Sequence, residues 1–135
     1  MKNIAFWDNQ LGERGTTIAL YDYAYYNQSI LKNKSFIFYD KNCQNNNLDV
    51  IKKFEKQFKV YGVNNFNEVD QILLKNDIEI IYIQKSGELD NRISKVAKNC
   101  IHCVFNSKEP HGNVYASISQ WVKKNDGKFP VVPHI

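Results

Sequence analysis

Apolar residues follow two rhythms in this chain, short unbroken runs and longer stretches with helical spacing, and the two alternate. The first run, Asn3–Trp7, stops at Asp8. From Thr16 to Lys32, Ala19, Tyr23, Tyr26 and Ile30 recur on one helical face, with Leu20, Ala24 and Leu31 beside them. Tyr21 and Tyr25 fall off that face and are expected at the surface. A second run covers Ser35–Asp40. The next helix opens on an asparagine cap and turns Leu48, Ile51, Phe54 and Phe58 inward. Lys59–Val63 is a short third strand. Asn65 followed by Glu68 has the spacing of a capping box, and Phe66, Val69 and Leu73 form the buried stripe behind it.

Ile78–Gln84 is the most continuously apolar run and predicts a central strand. Two further helices are expected, Ser86–Asn99 with Leu89, Ile93 and Val96 inward, and Gly112–Asn125 with Val114, Ile118 and Trp121 inward. The fifth strand, Cys100–Asn106, lies between them, and Phe129–Ile135 closes the chain. Apolar strands separated by helices predict a parallel sheet covered on both faces. The expected fold is α/β, a single doubly wound, Rossmann-like domain with about six strands in the order 3-2-1-4-5-6.

Composition narrows the function. The chain has 135 residues, 43% hydrophobic and 24% charged, which suits one soluble domain. A net charge of +4 is spread without a basic stripe, which argues against a nucleic-acid partner. No stretch approaches the ~20 apolar residues of a membrane span. The start, MKNIAFWDN, lacks the apolar region of a secretory signal, so a cytoplasmic protein is expected. Cys43, Cys100 and Cys103 are an odd count, against a disulfide framework. Cys100 and Cys103 face opposite sides of a strand and lack a second ligand pair, so structural thiols are expected rather than a metal site. His102, inside the same strand, reads as a packed residue.

In an open parallel sheet, ligands collect beyond the carboxyl ends of the strands where strand order reverses. The turn after the first strand, Asp8–Thr17, lies there. Gly15 allows close approach to the backbone, Arg14 can neutralise an anion, and Thr16 or Thr17 can cap a helix whose N-terminus favours phosphate or sugar oxygens. The same residues also suit a plain turn, and GERGTT is neither a dinucleotide fingerprint nor a P-loop. The loop after the fifth strand gathers Asn106, Ser107, Glu109 and His111 at the same rim. His111 can serve there as a base or as a donor to a ligand hydroxyl.

Those two segments, ERGTTIALYDYAYYN and VFNSKEPHGNVYASISQW, resemble the N-terminal domain of retaining glycosyltransferases of the GT-B architecture, the large group-1 family. The resemblance implies transfer of a sugar from a nucleotide-sugar donor to a glycan or other acceptor, with no metal and no cofactor beyond that donor. It places Gly12, Arg14, Gly15 and Thr16 near the donor phosphates or transferred sugar, with Asn106, Ser107 and Glu109 at the opposite loop. His111 takes the position of a sugar-contacting catalytic histidine. Two departures accompany it: Arg14–Gly15 replaces a glycine pair, and His111 follows the strand tip by several residues. The family's paired glutamates, which hold the donor, have no counterpart. Residues 1–135 are therefore expected to be the acceptor-side half, inactive unless a C-terminal GT-B domain is supplied in cis or trans.

Two other classes compete. One is a non-catalytic flavodoxin-like domain binding a nucleotide or flavin; its phosphoacceptor version fits Asp8 but lacks an aspartate after the third strand. The other is an assembly module that docks a second chain through the exposed carboxyl edge of the sheet.

Overall fold

Six strands, all parallel, form one sheet in the order β3-β2-β1-β4-β5-β6. The structure, a computed structural model, describes residues 1–123 and 128–134. The strands are β1 (Asn3–Asp8), β2 (Lys34–Asp40), β3 (Lys59–Val63), β4 (Ile80–Lys85), β5 (Lys98–Cys103) and β6 (Val114–Ser117). The helices are α1 (Gly15–Ser29), α2 (Leu48–Glu55), α3 (Phe66–Lys75) and the single turn α4 (Gln120–Lys123). The expected fold class and the expected order of the first five strands are those observed, whereas the sixth strand is Val114–Ser117 and not the closing segment. Beside β1 lie β2 and β4, whereas a flavodoxin-like sheet would place β3 there.

Side chains alternating along the strands divide the core into two layers. Ala5, Trp7, Phe36, Phe38, Ile81 and Ile83 face α3, which contributes Phe66, Val69 and Leu73. Phe6 and Ile37 face the other way, against Leu20 and Ala24 of α1 and Ile51 and Phe54 of α2. The caps read from the sequence hold. The Asn47 side chain accepts from the backbone N–H groups of Asp49 and Val50, and that of Asn65 accepts from Glu68 N–H. Glu68 in turn accepts from the backbone and side-chain amides of Asn64, which holds its carboxyl below the usual range.

Five expectations fail. Apolar residues ring α1, so its inward stripe is shifted. Thr17, Ala19, Leu20 and Ala24 are buried, while Tyr26, Ile30 and Leu31 are exposed. Tyr21 is not free either, because it packs edge-on against Phe54 and Phe58. On α2, Leu48 lies before the buried turn and is exposed.

The helix expected over Ser86–Asn99 is a loop leading into β5, with Leu89 and Val96 exposed. Polar side chains bind this backbone locally and compete with helical hydrogen bonds. Asp90 accepts from Arg92 N–H, Ser94 Oγ accepts from the N–H groups of Val96 and Ala97, and Asn99 Oδ1 accepts from Ser94 N–H. Gly87 sits at φ +128°, where a Cβ would lie 1.9 Å from the Asn106 carbonyl oxygen.

The helix expected over Gly112–Asn125 is instead β6 followed by α4. Val114, Tyr115 and Ala116 pair with Cys100, Ile101 and His102, and Tyr115 is buried while Val114 and Trp121 are exposed. The run is too short for its period to separate strand from helix. The last two residues of that expected helix lie outside the described residues, as does Ile135. Among its described residues the closing segment adds only an isolated bridge, Val131 to Ser117. It is tied down by His102 Nε2, which donates to Val132 O at 2.6 Å, and by Tyr23 OH, which donates to Pro133 O at 2.6 Å.

Candidate functional site

Strand order reverses between β1 and β4, and a cavity of about 130 Å³ opens at their carboxyl ends. The β1 side contributes Asp8, Asn9, Arg14 and Thr16; the β4 side contributes Gln84, Lys85, Ser86 and Arg92; Val104 and Phe105, just after β5, complete the lining. Pockets that hold a whole drug-sized molecule run from ~300 Å³ upward. This one has room for a single ring or one small polar group.

Asp8 ends β1 with its carboxyl 2% exposed. Burial raises its pKa to about 6, against the opposing pull of Arg14 and of the Thr17 hydroxyl, which donates to Asp8 Oδ2 at 3.3 Å. One guanidinium nitrogen of Arg14 donates to both Asp8 and Asn9. Neither Thr16 nor Thr17 caps α1: its cap residue is Arg14, whose side chain makes no capping bond to the helix, and Thr17 faces Asp8 and the Gln10 carbonyl.

Across the cavity, Lys85 is a buried lysine with its three donors engaged. Nζ lies 2.7 Å from Asp90, 3.2 Å from the Arg92 carbonyl and 2.9 Å from His111 Nε2. His111 Nδ1 donates to the Glu109 carbonyl at 2.6 Å, which leaves Nε2 as the acceptor from Lys85. Both ring nitrogens of His111 are thus held within the protein, and it stands behind the cavity wall rather than on it.

Of the residues singled out in the sequence, Arg14 and Thr16 line the cavity. Gly15 opens α1, and no atom would meet a Cβ there. A Cβ on Gly12 would press on Asn45 O at 2.7 Å, so this glycine packs against the loop after β2. The fifth-strand loop is occupied with its own structure. Asn106 bonds Glu88 and Lys108 N–H, Ser107 Oγ donates to the carbonyls of Val122 and Lys123, and Glu109 accepts from Leu89 N–H at 2.7 Å.

Sequence reasoning passed over Gln84, Lys85 and Arg92. The expected strand order itself places β4 beside β1, and a glutamine and lysine ending an apolar strand are the signal that identifies them. Cys43, Cys100 and Cys103 are free, with Cys103 buried and the other two half-buried. Among the described residues, no three His, Cys, Asp or Glu side chains gather as a metal site, and no helix is long and apolar enough to cross a membrane.

Set against known proteins, the chain matches no family model, no curated protein and no solved structure.

Proposed function

We propose that this domain is the acceptor-side half of a GT-B sugar transferase, and that the rim cavity holds the oxygen-rich part of its ligand. One observation carries the reading. The cavity between β1 and β4 is polar, ring-sized and placed where doubly wound sheets bind ligands. Phe105, 77% exposed, adds an apolar ring at its mouth, a surface suited to the flat face of a sugar. In this reading Arg14 and Arg92 offer guanidinium donors to ligand oxygens, and a second Rossmann-like domain supplies the donor nucleotide site. Without that domain half of the cleft is missing, so the isolated domain binds but transfers little.

The test is a thermal-shift screen of the whole chain against UDP- and GDP-sugars, free hexoses and short glycans. The expected result is stabilisation by a sugar-bearing ligand, lost in Arg92→Ala and retained in an exposed control such as Lys56→Ala. Absence of stabilisation by any of them, or stabilisation indifferent to Arg92, would overturn the reading. A yellow protein with flavin absorbance would favour the flavin-binding class instead.

A further inference from the structure

Gln84 is 3% exposed, lines the cavity, and has an orientation its surroundings dictate. Its Nε2 donates to the Thr16 carbonyl at 2.9 Å, an atom that can only accept. The amide oxygen therefore points the other way, and Oε1 is buried with no partner among the described residues. A buried acceptor left unpaired is costly, and a ligand group that donates to it would remove that cost. On the facing β1 side, Arg14 Nε and the Thr16 hydroxyl are likewise buried without partners among the described residues.

The charges around the cavity cancel in pairs. Arg14 is matched by Asp8 and Lys85 by Asp90. Arg92 forms no ion pair among the described residues, so it leaves one positive charge facing the space. A diphosphate carries more negative charge than one guanidinium balances, and its ester form at neutral pH has no hydrogen to give to Gln84. A sugar hydroxyl does both jobs, donating to Gln84 Oε1 while its oxygen accepts from Thr16 or Arg14 Nε.

We infer that Gln84 is the specificity-determining residue of this cavity, reading a hydroxyl of a sugar ring through its fixed amide oxygen, and that the diphosphate of a donor lies elsewhere. This rests on the sugar-transfer reading and refines it. A site built around a substrate hydroxyl rejects the analogue lacking it far more strongly than an apolar pocket rejects a missing methylene.

The experiment is a titration of the isotope-labelled whole chain, followed by NMR, with methyl glucoside, methyl mannoside and methyl galactoside on one arm and inorganic pyrophosphate on the other. The expected result is that at least one glycoside shifts the Gln84 side-chain amide and the Thr16 and Thr17 backbone amides, and that pyrophosphate does not. Gln84→Met should weaken that glycoside at least tenfold, and Gln84→Glu, which restores an acceptor, should recover part of the loss. Shifts from pyrophosphate alone would overturn the hydroxyl assignment and leave sugar transfer standing, with the diphosphate here. Glycoside binding unchanged in a folded Gln84→Met would also overturn it. Silence from both probes would overturn the assignment and the sugar-transfer reading together.

Discussion

The two halves of the sheet are built differently. From β1 to β4 every crossover carries a helix, and each helix buries an apolar face. From β4 to β6 the crossovers are loops whose backbone is satisfied by Asp90, Ser94, Asn99, Glu109 and Asn113. A parallel sheet thus needs its connections hydrogen-bonded, and helices are one way of achieving that. The cavity lies on the seam. The helical half supplies Asp8 from the end of β1 and Arg14 and Thr16 from the start of α1. The loop half supplies Lys85 and Arg92 from a segment held by side chains.

The sharpest way to break the contrast is at glycine. In the loop half, Gly87→Ala forces a Cβ against the Asn106 carbonyl at a φ of +128°. It should cost ~4 kcal/mol or prevent folding, as read from urea unfolding.

In the helical half, Asp8 tests the electrostatics of the seam. Its carboxyl titrates near 6 when folded and near 3.8 when exposed, so between those values the folded state binds more protons. Stability therefore falls as pH rises from ~4 to ~6 and levels above that, by ~3 kcal/mol in all. Asp8→Asn should abolish that fall, as seen in unfolding free energies measured across the range.

Ser94 probes how the loop half is held. Its hydroxyl donates to Asp70 at 2.6 Å and accepts from two backbone N–H groups. Ser94→Ala should cost ~2 kcal/mol, with faster amide exchange confined to the 86–97 loop. At the other extreme, Gly15→Ala has open space and a helical position. It should stabilise by ~0.5 kcal/mol in thermal melts, the opposite sign to Gly87.

The same contrast explains what the sequence reveals. Long stretches with caps, such as Asn65–Leu73, are legible because spacing and capping agree. Strand order is legible because five apolar runs separated by crossovers leave few topologies. The Ser86–Asn99 stretch misleads because Leu89, Ile93 and Val96 have helical spacing while its serine, asparagine and aspartate bind the backbone elsewhere. The site is half legible. Arg14 and Thr16 follow from the reversal rule, and Gln84 and Lys85 follow from the same rule applied to β4. The inward aim of the Gln84 oxygen depends on its bond to Thr16, 68 positions away, which no local pattern records.

The most direct test of the seam as a ligand site is a crystal structure of the chain grown with the sugar-bearing ligand that stabilises it most. Sugar density between β1 and β4, within hydrogen-bond distance of Gln84 Oε1 and Arg92, is the predicted result. Ligand density on another surface, with this cavity holding only solvent, would contradict it.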